Sequence, residues 1–414
     1  MGAAATGRDT WAIVASSLPT TARLARERAF PIGAAATLEE LELDPHPLLA
    51  RLRAGEPVSW LPALGAWVVT SRALALQVMR DAATFTVDDP RFSTGQVVGH
   101  SMLTRDGIEH GRHRDPFARA FRLAAVQERF SGFVVSETDR LLDRIEGGRE
   151  AELRRTLAGP LAVAVVAFAL GLEHADVASV LDWYDAMVDA VTVVAAGDEL
   201  PARGSAAFAA LRDTIEPMLD REPSESLLAA AAGESAALQR AEVVSNAAVL
   251  MFGGIETTEG MIANAILHLL SHRAALQEVA RDPALLANAV EESLRLEPAA
   301  AVIDRYATCG VNLAGASICE RELVTISLAG ANRDPETFPD PDRFDITRDN
   351  ARLHLAFAQG PHVCIGMHLA RLEAHTVLVR LLARFPRLRF DPAHPSASRG
   401  LVFRKPPALH VLLG

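Results

Sequence analysis

The chain has 414 residues, of which 50% are hydrophobic and 22% charged, and its formal net charge is −11. This length and hydrophobic content suffice for a large buried core, while the negative charge disfavours nonspecific nucleic-acid binding. The three cysteines, Cys309, Cys319 and Cys364, form no CxxC pair, which excludes a disulfide framework, argues against structural zinc and suits the reducing cytoplasm.

Residues 1–36 are predicted to be a loose or partly helical N-terminal extension, and residues 37–414 a single large domain, because no Pro/Gly/Ser-rich linker interrupts them. The stretch PVSWLPALGAWVVTS (Pro57–Ser71) alternates and breaks at Leu-Gly-Ala, which predicts a β-hairpin. The uncharged run Gly159–Leu172 is shorter than the ~20 residues needed to cross a bilayer, so it predicts a buried core helix and no membrane span.

Helical periodicity dominates from about Ala73 to Arg295, and the later part of the chain carries short strand-like runs such as LVTISLA (Leu323–Ala329). A proline-rich stretch, NRDPETFPDPDRF, disfavours helix. One more helix is predicted to begin at Cys364, and a short strand region closes the chain. The predicted fold class is mainly α with small β-sheets.

The proline-free segment Ala241–Ser271 predicts a long helix whose centre, MFGGIETTEG, contains residues that do not favour helix. Gly253 and Gly254 each cost on the order of 1 kcal/mol relative to alanine. One interpretation is a helix crossing that needs small residues, with Glu256 facing water. The other is a flat ligand lying against the helix, with Glu256 and Thr257 passing protons into a dry pocket.

The second unusual stretch, FAQGPHVCIG, places Cys364 among glycines and near the start of a predicted helix, where a thiolate is stabilised. The residues alone leave four roles open: catalytic nucleophile, redox thiol, single thiolate ligand of an iron macrocycle, or structural cysteine. His362, two residues away in a tight loop, is poorly placed to act as the base of a nucleophilic pair.

Taken together, these stretches resemble the cytochrome P450 family, from about residue 38 to the C-terminus. FAQGPHVCIG is similar to its haem-binding loop, GGIETT to its oxygen-activating helix motif, and EESLR to its ExxR pair. ANRDPETFPDPDRFD is similar to the segment before the haem loop, and DGIEHGRHR to the helix that crosses one haem edge. The motifs occur in the family's order and roughly at its spacing.

The resemblance implies a cofactor, haem b (iron protoporphyrin IX), with Cys364 as its axial iron ligand, and assigns roles to further residues. Thr257 and Glu256 would be catalytic. The other residues expected to contact haem are His110, Arg114, Gly253, Arg305, Phe357, His362 and Gly366. The residues expected to hold the structure beneath the haem are Glu292, Arg295 and Arg343. The expected substrate-pocket residues are Phe92, Val97, Val98, Leu250, Ala299, Val302 and Val402.

The chain departs from the family's pattern at three places. Ala358 stands where glycine is frequent, and is expected to tighten the loop. Glu256 replaces the more frequent aspartate, so its proton path need not be the usual one. The stretch Phe85–His100 is short and is expected to leave little room for the helix that often roofs the pocket, so that access to the pocket is more open than usual.

The implied function is a soluble, bacterial-type, haem-thiolate monooxygenase that uses O2 to hydroxylate or epoxidise an apolar or weakly polar small molecule, in secondary metabolism. Alternatives are a haem-thiolate oxidase of another reaction type (oxidative coupling or peroxygenase) and a noncatalytic haem-binding protein. Electrons are expected from a ferredoxin and its NAD(P)H-dependent reductase. The protein is expected to be a cytoplasmic monomer without nucleic-acid or membrane partners. A candidate ferredoxin-docking patch, against the alternative of a solvated face, comprises Arg343, Arg348, Arg352, His354 and His362.

Overall fold

The computed structural model describes residues 20–172, 177–195, 198–220, 227–233 and 238–414, so residues 1–19 of the predicted N-terminal extension lie outside the described part. The rest of that extension forms two helices that pack on the first strands. Glu56 accepts hydrogen bonds from the backbone N–H groups of Ile32 (2.7 Å) and Gly33 (3.0 Å). A Cβ atom on Gly33 would lie 2.6 Å from the carbonyl oxygen of Trp60, so this contact requires glycine.

Helices dominate the described chain, in agreement with the predicted fold class. They are α1 (Thr20–Ala29), α2 (Pro31–Ala34), α3 (Leu38–Leu43), α4 (His46–Gly55), α5 (Arg72–Arg80), α6 (Ser93–Val98), α7 (Gly107–Ala118), α8 (Leu123–Ile145), α9 (Gly159–Leu170), α10 (Val177–Ala195), α11 (Ala202–Ile215), α12 (Leu227–Gly233), α13 (Arg240–Ser271), α14 (Arg273–Arg281), α15 (Leu286–Leu296), α16 (Leu328–Ala331) and α17 (Met367–Arg384). A single π-helical turn, Arg154–Ala158, leads into α9.

Three small sheets complete the fold. Their strands are β1 (Val58–Leu61), β2 (Ala66–Val69), β3 (Phe85–Thr86), β4 (Glu150–Glu152), β5 (Val302–Ala307), β6 (Val311–Leu313), β7 (Ala316–Ile318), β8 (Leu323–Ser327), β9 (Arg389–Phe390) and β10 (His410–Leu412). The largest has the order β1-β2-β8-β5-β3, with β2 and β8 parallel. The predicted hairpin is confirmed, since β1 and β2 pair antiparallel.

The helical core is built around α13, which runs the full length predicted for it and packs against α9, α15 and α17. Helix α9 confirms the predicted buried helix, because eight of its twelve residues are buried. At the rim, α17 is joined to α8 by ion pairs of Arg380 with Asp139 and of Arg384 with Asp143 (2.8 Å). No described helix is long and apolar enough to span a membrane.

The short stretch Phe85–His100 holds a helix, α6, of only six residues. Two expectations about element boundaries were wrong. Helix α17 begins at Met367 rather than Cys364, because the Cys364 N–H donates to the carbonyl of Phe357 (2.8 Å) and closes a loop. The run LVTISLA leaves its strand at Ser327, whose hydroxyl caps α16 by accepting from Gly330 N–H (3.0 Å).

Candidate active site

The cysteine loop is held by its own backbone and by one close approach to α5. At Gly360 φ is +78°, and a Cβ atom there would lie 2.5 Å from the carbonyl oxygen of Met79. Only glycine fits both conditions. Ala358 also adopts a left-handed conformation, with φ at +56°, which costs roughly 1–2 kcal/mol for a residue with a side chain.

The Cys364 thiol lies deep enough in the protein for burial to act on it, and yet the residue is accessible to solvent. Burial raises the pKa of the Cys364 thiol, while the Gly366 backbone N–H and the charges of Arg114 and Arg371 act to lower it. Two cations and a backbone donor around one thiol favour an anionic ligand. His362 is hydrogen-bonded to Asp106 rather than to the thiol, which does not favour a nucleophile–base pair.

Four of the residues expected to contact haem lie around this loop, and by the same resemblance they would bind the haem carboxylates: His110, Arg114, Arg305 and His362. Arg114 donates to the carbonyl of Val363, next to the cysteine, at 2.7 Å. The rings of His110 and His362 lie 4.3 Å apart between centroids, and Arg305 is buried close enough to Asp106 for that charge to act on its pKa. The structure therefore brings together side chains from α7, β5 and the cysteine loop.

His110 is the member of this group with an unmet bonding requirement. Its Nε2 atom is buried and has no hydrogen-bond partner among the described residues. Burial, with the neighbouring charges of His362 and Arg114, lowers the pKa of His110 to about 4. A buried, unpaired ring nitrogen beside an arginine fits an anionic group bound at this place.

Asp106 is a functional candidate that the sequence analysis missed. It accepts hydrogen bonds from Thr86 Oγ1 (2.6 Å) and the Val87 backbone (2.9 Å), and contacts His362 Nε2 at 2.7 Å. Burial acts to raise its pKa, but these contacts hold it at about 2. Its position just before the glycine that opens α7 marks a helix start, although here its side chain orients His362 instead of capping the helix.

The crossing interpretation of the α13 glycines is confirmed at Gly254, whereas a flat ligand beside Gly253 stays a prediction. A Cβ atom on Gly254 would lie 2.4 Å from Val166 Cγ2, so this glycine permits the crossing with α9. A Cβ atom on Gly253 would meet nothing within 4 Å, and Gly253 is exposed between half-buried neighbours. A Cβ atom on Gly366 would likewise meet nothing within 4 Å, so both glycines have open space beside the backbone.

Thr257 and Glu256 lie beside this open face and differ in their bonding. The Thr257 hydroxyl donates to the Gly253 carbonyl one turn earlier. Glu256 does not face open solvent: its Oε2 accepts from the Tyr184 hydroxyl at 2.6 Å, and its Oε1 lies 2.6 Å from Lys405 Nζ. Neither partner was identified from the sequence.

The Glu292–Arg295 pair is fully buried, but the prediction that Arg343 completes the hydrogen-bond network of this pair was wrong. Arg295 makes two hydrogen bonds to Glu292, of 2.7 and 2.8 Å, and Arg348 Nε makes a third at 3.0 Å. The Arg343 side chain is 69% exposed, and only its backbone carbonyl accepts from Arg295. The proline-rich segment directs Arg348 inwards instead, where carbonyls of Pro339 and Asp340 bind its remaining donors.

The candidate docking patch is also corrected, because two of its five members are interior. Arg348 is 8% exposed and His354 is 4% exposed. His354 Nε2 lies 3.0 Å from Glu291 Oε2, and Arg371 donates to the same carboxylate. Arg348 and His354 are bonded to buried carboxylates, and His362 is bonded to Asp106 with 6% of its side chain exposed, which leaves only Arg343 and Arg352 of the patch exposed.

The predicted pocket residues come from four separate elements. Val97, Val98 and Ala299 are buried in the helical core, whereas Phe92, Leu250, Val302 and Val402 are half-buried. The Ala301 N–H donates to the Val402 carbonyl at 2.8 Å, which joins the run at 299–303 to the run at 401–403. Substrate contact by these seven side chains stays a prediction.

Comparison with known proteins gives one consistent result. The family model for cytochrome P450 matches residues 210–412. The monooxygenase PikC of Streptomyces venezuelae is 35% identical over 379 residues, 85% of this chain and 86% of that protein. The 20-oxo-5-O-mycaminosyltylactone 23-monooxygenase of Streptomyces fradiae is 32% identical over 355 residues, 82% of each chain. The structure of CYP109E1 from Bacillus megaterium in complex with testosterone superposes with a TM-score of 0.82 at 25% identity, covering 92% of this chain and all of that one.

Proposed function

The chain belongs to the cytochrome P450 family of haem-thiolate monooxygenases, and on that premise we propose which residues hold its haem, which handle protons and what it oxidises. The cofactor would be haem b, and the Cys364 thiolate would hold its iron. When bound, it supplies the oxygen-activating iron, and a thiolate ligand favours O–O cleavage. The observation that carries this assignment is the Cys364 thiol, which is exposed and lies close enough to Arg114 and Arg371 for both charges to act on it.

The polar residues around the loop would bind the haem carboxylates. Arg114 and Arg305 bring fixed positive charge, and the buried Nε2 of His110 is free to form a hydrogen bond. His362 is oriented by Asp106, so its ring position is set before any ligand binds. Phe357, Gly253 and Gly366 would contact the macrocycle faces, where apolar surface and missing side chains suit a flat, hydrophobic group.

Thr257 and Glu256 would handle protons at the distal side. The Thr257 hydroxyl is one turn from Gly253 and can donate a proton or a hydrogen bond toward that open face. The Glu256 carboxylate is adjacent in sequence and has one acidic partner, Tyr184, and one cationic partner, Lys405. An acid and an alcohol side by side in a water-poor site form a proton relay.

We propose an apolar or weakly polar small molecule of secondary metabolism as the substrate, hydroxylated or epoxidised by the enzyme. The pocket residues named above are apolar, and Lys405, three residues after Val402, is already paired with carboxylates. The names of two similar proteins, a mycaminosyltylactone monooxygenase and a P450 with bound testosterone, support a bulky substrate with few charges.

A ferredoxin and its NAD(P)H-dependent reductase would supply the electrons, since the family receives them from redox partners. Two surface features near the cysteine loop support a protein-docking face: Ile108, at the start of α7, is 90% exposed, and Leu353 is 48% exposed next to Arg352. We expect the protein to act in the cytoplasm as a monomer, and its three free cysteines fit a reducing compartment.

The test is the ferrous–CO difference spectrum of the purified protein, followed by titration with apolar compounds for a spin shift. We expect a thiolate-type Soret band that Cys364→Ser abolishes. The matched control is Cys309→Ser, which should retain the band, because Cys309 is an exposed cysteine just after β5 and outside the cysteine loop. A thiolate-type band that survives Cys364→Ser would overturn the ligand assignment.

A further inference from the structure

Glu256 belongs to a chain of charges that extends away from the haem side of α13. Glu256 and Glu259 are one helical turn apart and present their carboxylates to the same ammonium group. Lys405 Nζ lies 2.6 Å from Glu256 Oε1 and is hydrogen-bonded to Glu259 Oε2. Arg154 Nε donates to the other Glu259 oxygen at 2.9 Å. Two carboxylates and two cations therefore alternate, and their formal charges cancel.

These groups are substantially shielded from solvent, which makes their pairing matter. The side chains of Lys405 and Glu259 are 11% and 10% exposed, and that of Arg154 is 21% exposed. An ammonium that loses its only carboxylate in such a place carries a large desolvation penalty. Lys405, however, has two carboxylates, so it stays paired when either one leaves.

The same reasoning identifies which carboxylate is fixed and which can leave. Glu259 has two cationic partners, Lys405 and Arg154. Arg154 is itself held in place, since it donates to the Pro407 carbonyl at 2.6 Å. Glu256 has one cation, Lys405, and the neutral hydroxyl of Tyr184 on α10. Burial and the Glu256 carboxylate hold the pKa of Tyr184 well above its usual value, so Tyr184 remains a donor; Asp185 is the other acidic group whose charge couples to Glu256.

We propose that Glu259 is a positioning residue for the proton step: it keeps Lys405 neutralised, so that Glu256 can take up a proton or turn toward Thr257 at low cost. This inference rests on the proposed proton-handling role of Glu256. No atom of Glu259 exchanges a proton with the substrate side; it acts only through Lys405. Without Glu259, Lys405 would bind Glu256 as its sole counter-ion and hold it as an anion.

The first measurement is an infrared titration of the resting protein, in which the protonated-carboxyl band of Glu256 is assigned by its loss in Glu256→Gln. In Glu259→Gln we expect this band to require an at least tenfold higher proton concentration than in the wild type, because a neighbouring negative charge is removed and Lys405 is left to Glu256 alone. In Arg154→Met we expect the opposite sign, because Glu259 then draws Lys405 away from Glu256. Opposite shifts are not produced by general loosening of the fold.

The second measurement is turnover with the compound that gives the largest spin shift. Glu259→Gln should lower turnover about tenfold and raise the solvent isotope effect. The matched control is Asp213→Asn, which removes a carboxylate from an exposed ion pair with Arg212 on α11 and should leave both readouts unchanged. If Glu256→Gln lowers turnover while Glu259→Gln matches the wild type in both assays, the inference about Glu259 is wrong. If Glu256→Gln itself has no effect, the proposed relay fails first.

Discussion

Replacing Glu292 by glutamine should destabilise the protein strongly, although the change is nearly isosteric. Glu292 is fully buried and accepts from Arg295, from Arg348 and from the Asp345 backbone N–H (3.0 Å). Arg295 remains charged in any environment, and burial already acts to lower its pKa while Glu292 raises it. Glutamine would leave two interior guanidinium groups without a counter-ion, which costs about 3–5 kcal/mol.

The magnitude is a large part of the total free energy of unfolding, which is typically ~5–15 kcal/mol for a folded domain. With an unfolding entropy of about 2.1 cal/mol/K per residue over 414 residues, this loss corresponds to a fall in Tm of roughly 3–6 °C. Urea unfolding followed by circular dichroism gives the free energy, and the Soret absorbance gives haem retention. Asp213→Asn, which removes a carboxylate from an exposed pair with Arg212, should cost under ~1 kcal/mol. Equal losses for the two variants would refute the reasoning.

Three further outcomes follow from single contacts. Gly360→Ala should cost at least ~1–2 kcal/mol, from the left-handed backbone alone, and reduce haem retention through the clash with Met79; normal haem content would contradict this. In the haem-free protein, Gly254→Ala should destabilise while Gly253→Ala, whose Cβ meets no protein atom, should gain up to ~1 kcal/mol of helix propensity, so urea midpoints of the two haem-free variants that move together would disprove the assigned packing. Hydrogen bonds from His354 and Arg371 overcome burial and hold the pKa of Glu291 at about 2, so its stabilisation is present above pH ~4.5 and is lost as pH falls toward 2, by ~3 kcal/mol; acid titration of Glu291→Gln should lack this component.

The sequence was sufficient wherever the signal is local. The β-hairpin, the long helix α13 and the buried helix α9 follow from hydrophobic spacing and from the absence of proline, and all three are present. The cysteine loop could be recognised because its glycines, histidine and cysteine lie within ten residues of one another. Its helix was placed three residues too early, because the pattern does not show which N–H closes the loop.

The sequence was insufficient wherever a side chain finds a partner far along the chain. Arg343 and Arg348 look equivalent in a charged, proline-rich stretch, and only the folded path of that stretch directs Arg348 into the core. Tyr184 and Lys405 are 72 and 149 residues from Glu256, and neither stands in a motif. Asp106 was passed over for a similar reason, since its partner His362 lies 256 residues away.

The parallel pairing of β2 with β8 sets an order of events during folding. Trp67 of β2 pairs with Val324 of β8, so β2, which is synthesised early, can pair only after β8 has been synthesised near the end of the chain. Every residue of β1 and β2 is buried in the finished protein. The β2 edge of this hairpin has no partner strand while the helical region between β2 and β8 is translated. Contacts between residues so far apart in sequence form slowly, and until they form the chain exposes hydrophobic surface that is prone to aggregation. We therefore expect the yield of soluble protein to depend on slow expression and chaperone supply more than on the strength of any single contact in the finished structure.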